Sequence, residues 1–208
     1  MQKKAAGYTM TEVTFLLNGT QVVLKGVPPT RTVLDYLRED IGLCGTKEGC
    51  NEGDCGACTV MVTDQSGARA LNACNLFLPQ IHGKALRTVE GIAAPNGTPH
   101  PVQSEMRRQH ASQCGFCTPG FVVSMAVNHL NGETDHDTAL AGNLCRCTGY
   151  APIIRAAQSA QSAPIPAHMS ADHAFTLAQI SSGVSGPARE GADSPLWHRP
   201  QTTADLAQ

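Results

Sequence analysis

The chain has 208 residues, with 15 basic against 17 acidic side chains and a formal net charge of −2. That length holds one large domain or two small ones, and so even a balance argues against a polyanion partner, whose binders gather basic excess into patches. No apolar run approaches the roughly 18–20 residues that cross a bilayer, and Met1–Met10 carries two lysines without the apolar stretch of a secretory signal. The expected setting is the cytoplasm, with no nucleic-acid and no membrane partner.

Along the chain, Thr11–Leu17 alternates apolar and polar residues, and Asn18-Gly19 turns it into Gln21–Leu24, a hairpin that Pro28-Pro29 closes. From Val33 the spacing of Val33, Leu34, Leu37 and Ile41 predicts a helix, with Thr30 or Thr32 as N-cap and Gly42 as stop. Residues 42–58 are glycine-rich and read as a loop. Strands are expected over 59–63, 68–74 and 86–89, so the first half predicts a small mixed sheet with one helix packed across it. After the Pro/Gly-rich loop Ala93–Pro101 the pattern turns helical: Pro101 to His110, Pro119 to Leu130, a short helix near Asp137–Ala141, and Pro152 to Ala160. Four helices on short connections suggest an antiparallel bundle. Beyond residue 161 the Ser/Ala/Pro/Gly-rich composition reads as a linker or wrapping tail, with periodicity only around Ala174–Ile180.

Nine cysteines demand an explanation, and with an odd count and no export signal, metal binding is a better reading than disulfides. Cys50, Cys55, Cys58 and Cys74 are spaced C-x4-C-x2-C-x15-C, the pattern of a plant-type [2Fe–2S] site, in which one tight loop supplies three thiolates and a distant residue the fourth. Gly49, Gly53 and Gly56 let that backbone curl around a cluster and aim N–H groups at sulfur. Structural zinc is the alternative, although it favours paired short spacings. Cys114, Cys117, Cys145 and Cys147 are spaced C-x2-C-x27-C-x-C, a less specific pattern that also admits zinc or a redox-active C-x-x-C pair. Cys117 directly precedes a helix start at Thr118-Pro119, where the helix dipole favours anionic sulfur. Cys44 is left over and reads as a small buried side chain. The eight histidines show no zincin spacing, and His100 and His110 border a helix in solvated or structural roles. Lys47 and Glu48 read as surface charges. No phosphate loop and no nucleophile–base pair is present.

Taken in order, Gly45–Cys50, Gly53–Val60, Asn72–Cys74, Thr88–Gly91, His100–Gln103, Gln113–Gly120 and Gly142–Tyr150 resemble the iron–sulfur portion of the xanthine dehydrogenase/aldehyde oxidase family of molybdenum hydroxylases. The resemblance covers about residues 11–160; Cys44 departs from it, where threonine is commoner. It implies an α+β chain. A β-grasp, plant-ferredoxin-like domain over 9–92 would hold the first [2Fe–2S] cluster, and an antiparallel four-helix domain over 93–162 the second. The tail over 163–208 would lead toward an FAD domain on another or a cleaved chain. Residues matching Gln113 and Cys147 approach the molybdopterin in relatives, so both are expected to be cofactor-binding. The implied partners are a molybdenum-cofactor subunit and an FAD subunit in a hetero-oligomer. Electrons would pass from molybdenum to the Cys114/Cys117/Cys145/Cys147 cluster, then to the Cys50/Cys55/Cys58/Cys74 cluster, and on to FAD and NAD⁺. This chain would carry no catalytic residue. Within the tail, Ala174–Gly183 and Pro195–Thr202 look like the connector and flavin-domain threshold of bacterial xanthine dehydrogenase small subunits. An aldehyde oxidoreductase or a carbon monoxide dehydrogenase-like enzyme stays open, as do a free ferredoxin and a zinc-binding interaction module.

Overall fold

A computed structural model of the chain describes residues 12–172. Five strands form one sheet: β1 (Glu12–Leu17), β2 (Thr20–Lys25), β3 (Thr59–Asp64), β4 (Gly67–Asn72) and β5 (Ala85–Arg87), in the order β2-β1-β5-β3-β4. The hairpins β1/β2 and β3/β4 are antiparallel, and β1 and β5 run parallel at the centre. Asn18 and Gly19, both at positive φ, make the first turn. The helix expected from Val33 is short and irregular. α1 (Val33–Asp35), capped by the Thr32 hydroxyl, passes into a π-helical segment Tyr36–Asp40 before Gly42 turns the chain at φ 71°. The strand expected over 68–74 stops at Asn72, and Cys74 lies in a single 3₁₀ turn, Ala73–Asn75.

The second half holds α2 (Pro101–Arg108), α3 (Thr118–Asn131), α4 (His136–Ala139) and α5 (Ala151–Ala160). Among the described residues no helix is long and apolar enough to cross a membrane. α3 is buried from Gly120 to His129 and ends on Gly132 in the left-handed region.

Strand β3 joins the two halves. Val60 and Val62 face one core with Phe15, Leu34, Leu37 and Leu78, whereas Met61 faces a second core with Phe121, Met125 and Ile153. Side chains alternate across a strand, so β3 serves two apolar cores at once and is buried through Thr63. Backbones approach closely where the halves meet. A Cβ on Gly120 of α3 would overlap the Gly56 carbonyl oxygen, and a Cβ on Gly56 would overlap that of Gly142.

The start of the segment expected as a tail is docked. A helical stretch over 167–172 buries Met169 and Asp172. Asp172 pairs with Arg87 at the end of β5, and the Arg87 guanidinium also donates to the carbonyls of Gly91 (2.8 Å) and His168 (2.8 Å). Four of its five N–H groups are thereby engaged, and such additional hydrogen bonds are the condition on which a buried ion pair is tolerated. The periodic stretch Ala174–Ile180 and the Pro195–Thr202 motif lie outside the described residues.

His100 caps α2: its Nδ1 accepts from the Val102 N–H at 3.2 Å, which leaves the proton on Nε2. Burial, with His129 and His168 nearby, lowers its pKa to about 4 from 6.5. The folded state thus excludes a proton that the unfolded chain takes up below pH 6.5. The stability gained from a neutral His100 is complete above that pH and is lost as pH falls toward 4, a span worth about 3 kcal/mol. His100→Asn, which keeps a capping oxygen, is expected to flatten the acid limb of the stability curve measured by denaturant unfolding; parallel curves for the two proteins would refute this. Gly120→Ala tests the close approach. Helix propensity alone favours alanine by about 1 kcal/mol, but the overlap with rigid backbone is expected to win, leaving a net loss of about 1–3 kcal/mol in the same unfolding assay.

Candidate iron–sulfur centres

The loop 42–58 is pinned from several sides. Glu90 accepts from the Gly45 N–H at 2.9 Å, Asn72 Nδ2 donates to the Gly53 carbonyl at 2.7 Å, and Asn75 Nδ2 to that of Glu52 at 3.3 Å. Gly53 (φ 80°) and Gly56 (φ 69°) occupy the left-handed region, which lets the chain coil between ligands. Amide groups then point at sulfur. The Gly53 N–H donates to Cys74 Sγ at 3.2 Å, and the N–H groups of Asp54 and Cys55 donate to Cys50 Sγ at 3.3 Å each. The sulfurs of Cys58 and Cys74 stand 3.4 Å apart, close to the roughly 3.7 Å between two thiolates on one tetrahedral metal with bonds of about 2.3 Å. A Cβ on Gly49 would come within 2.8 Å of Cys55 Sγ. Cys58 and Cys74 therefore present one pair of donors, and Cys50, whose Sγ also engages the Cys55 side chain, presents the other with Cys55.

Electrostatics divides the two pairs. The N–H groups of Glu52, Cys55 and Asp54 lower the Cys50 thiol to about 7, whereas burial pushes Cys58 up to about 12. Neighbouring buried sulfurs resist carrying negative charge together, and a bound cation reverses that penalty, since metal affinity draws off thiol protons.

The second tetrad lies in two loops of the helical half. Cys117 is the N-terminal cap residue of α3, and Cys114 precedes it across Gly115 at φ 84°. Cys145 is buried and Cys147 exposed. Cys114 engages Cys147 and Cys117 engages Cys145 through their side chains, so this tetrad is also built from two pairs. Burial raises the Cys117 thiol to about 12, and the Phe116 N–H lowers Cys114. Burial opposes ionisation of Cys145, but the Thr148 hydroxyl, 3.1 Å from its sulfur, and N–H groups nearby outweigh it, and the pKa is lowered. The Cys145 N–H donates to the Tyr150 hydroxyl at 2.9 Å, with Tyr150 held at φ 67°.

The structure brings the eight cysteines together as pairs, Cys50 with Cys55, Cys58 with Cys74, Cys114 with Cys147 and Cys117 with Cys145; among the described residues no three of them are gathered closely enough to hold a metal ion as they stand. Gln113 is exposed beside Cys114 in sequence, and Arg146 and Cys147 are exposed as well. Cys44 corrects an expectation. It is exposed rather than buried, because the turn after Gly42, closed by the Cys44 N–H on the Gly42 carbonyl, carries it outward. Lys47 donates to the Cys44 carbonyl at 2.8 Å. Sequence reasoning passed over Ser124, Asn143, Thr148 and Tyr150. Asn143, Thr148 and Tyr150 stand inside a quoted motif, whereas Ser124 lies outside every one and nothing in the linear chain marks it.

Four thiolates in paired array, met by backbone N–H groups, suit iron–sulfur chemistry. The comparisons agree. Residues 15–78 match the family described as "2Fe-2S iron-sulfur cluster binding domain", and residues 88–158 match "[2Fe-2S] binding domain". Each tetrad falls whole within one of these regions. Xanthine dehydrogenase of Calliphora vicina is 46% identical over 156 residues, and xanthine dehydrogenase/oxidase of Gallus gallus 47% over 156 residues; each match covers 70% of this chain. The chain spans only about 12% of the length of these relatives. Among solved structures, a chain of quinoline 2-oxidoreductase from Pseudomonas putida 86 superposes with TM-score 0.63 at 32% identity, covering 85% of this chain and 99% of that one. The aldehyde oxidoreductase of Desulfovibrio desulfuricans superposes with TM-score 0.65 at 35% identity, covering 74% of this chain and 17% of that one. The five-stranded mixed sheet is consistent with the ferredoxin-like domains of these enzymes. With two adjoining matched regions, each holding one cysteine tetrad, the chain belongs to the xanthine dehydrogenase/aldehyde oxidase family of molybdenum hydroxylases, as its [2Fe–2S] electron-transfer region.

Proposed function

We propose that the chain holds two [2Fe–2S] clusters, one on Cys50, Cys55, Cys58 and Cys74 and one on Cys114, Cys117, Cys145 and Cys147, and wires a xanthine dehydrogenase-like enzyme. When bound, the clusters supply one-electron carriers that link a molybdopterin subunit to an FAD subunit and thence to NAD⁺. The observation that carries this reading is the contact between the two ligand loops: the Leu144 N–H, one residue before Cys145, donates to the Cys55 carbonyl at 2.9 Å. One hydrogen bond therefore joins a ligand residue of the first site to the neighbour of a ligand in the second.

The chain's own residues divide the work. The N–H groups of Gly53, Asp54 and Cys55 hold negative charge on sulfur. Thr148 and Tyr150 orient Cys145. Gln113 and Cys147, both exposed, would meet the molybdopterin of a partner subunit, which would make the Cys114 site the entry point and the Cys50 site the exit toward flavin. The helices α2 to α5 would form the family's antiparallel four-helix domain, within the 9–92, 93–162 and 163–208 organisation, and the hetero-oligomer would work in the cytoplasm. Hydroxylation of a purine is the reading for the whole enzyme. A second reading, an N-heterocycle other than a purine, is favoured by the quinoline 2-oxidoreductase chain, which this chain matches over 99% of that chain's length.

Anaerobic metal analysis is expected to return about four irons per chain and no zinc; far fewer irons, with thiols free or bridged to one another, would reject the proposal. In the assembled enzyme, Cys114→Ser is expected to slow flavin reduction by roughly tenfold or more while substrate still reduces molybdenum. Unchanged flavin reduction would overturn the order of the relay.

A further inference from the structure

Beside the Leu144–Cys55 backbone bond, the Asn143 side chain hydrogen-bonds across the two ligand loops. Asn143 is 4% exposed and stands two residues before Cys145. Its Oδ1 accepts from the Ser124 hydroxyl of α3 at 2.7 Å. Its Nδ2 donates to the Gly56 carbonyl at 2.9 Å and to Thr59 Oγ1 at 3.1 Å. Gly56 lies between Cys55 and Cys58, and Thr59 follows Cys58 directly. The carboxamide thus spends its acceptor on the helix that Cys117 begins and its donors on the first ligand loop.

The space around it admits little else. The Gly56 carbonyl also accepts from the Thr59 N–H (3.2 Å) and hydroxyl (2.6 Å), so three donors converge on one oxygen. A Cβ on Gly120 would come within 3.1 Å of Asn143 Nδ2, and one on Gly56 within 2.6 Å. A carboxylate of the same shape would set a negative oxygen against the Gly56 carbonyl. A leucine would leave the Ser124 hydroxyl without its acceptor and the interdomain bond unmade, a change that buried polar groups register strongly.

We infer that Asn143 is a positioning residue for electron transfer between the two clusters, its carboxamide fixing the separation of the Cys55–Cys58 loop and the Cys145–Cys147 loop. The inference rests on the two-cluster reading above. Electron tunnelling decays steeply with distance, so a contact that holds two ligand loops at a single spacing acts directly on rate. Neither cluster needs Asn143 as a ligand, so iron content and transfer rate come apart when it is replaced.

The test uses the full chain, purified anaerobically with its iron, as Asn143→Leu and Asn143→Asp beside Ser124→Ala, which removes one bond from the opposite side and leaves Asn143 in place. Iron per chain is measured first, then the distance between the reduced clusters by pulsed electron–electron resonance, and then electron redistribution between them after flash reduction. The expected result is iron unchanged in all three variants. The distance distribution is expected to be longer and broader, and redistribution several-fold slower, for Asn143→Asp and Asn143→Leu, with Ser124→Ala between them and the unmodified chain. Variants with full iron and an unaltered distance and rate would overturn the inference while leaving the two-cluster reading intact. Low iron in the unmodified chain would overturn both. If both Asn143 variants fail to fold, an unaltered distance in Ser124→Ala overturns the inference and a lengthened one upholds it.

Discussion

The architecture depends on strand β3 being buried on both faces. Val60 and Val62 pack into the core of the sheet half, and Met61 packs against Phe121 and Met125 of α3. A strand with two apolar faces cannot be left half-covered, because exposing either returns its side chains to water. The helical half is therefore the second wall of the sheet rather than an appendage. Cys58 directly precedes β3, and Cys117 directly precedes α3. Packing that strand against that helix brings two ligand loops side by side without any contact having been made for the metals themselves.

Close approach follows from the same packing. Gly56, Gly120 and Gly142 meet backbone to backbone, where no Cβ would fit, and the Leu144 N–H and Asn143 carboxamide complete the seam on the Cys55 and Gly56 carbonyls. In the first ligand loop the N–H groups of Gly53, Asp54 and Cys55 face sulfur, while the carbonyls of Cys55 and Gly56 face the second loop. That polarity stabilises anionic sulfur and leaves the carbonyls to be satisfied across the interface.

The segment after α5 is held by a different chemistry. His129 Nε2 lies 2.9 Å from the Ala163 carbonyl, His168 Nε2 lies 3.0 Å from that of Ile92, and Arg87 pairs with Asp172. Since a carbonyl can only accept, both imidazoles must carry their proton on Nε2. Two histidine–carbonyl contacts and one buried ion pair thus tie residues 163–172 back to α3, to Ile92 and to the end of β5.

Much of this was legible in the linear chain. The spacing of eight cysteines, the glycines between them and the prolines that open helices are local signals, and local signals name ligands and element starts because they act within a few residues. Tertiary contacts decided the rest. The helix after Thr32 became π-helical at Tyr36–Asp40, strand β4 gave way to a 3₁₀ turn that carries Cys74 inward, and Cys44 went to the surface. Met169 and Asp172 sit in a stretch whose composition reads as linker, yet they are buried, since their partners lie far back along the chain at Arg87 and in the helical core. The chain by itself determined which atoms could bind metal. Only the fold decided how far apart the two sites stand, because that spacing is set by residues such as Asn143, Ser124 and Gly56, whose partners lie between 19 and 87 positions away in sequence.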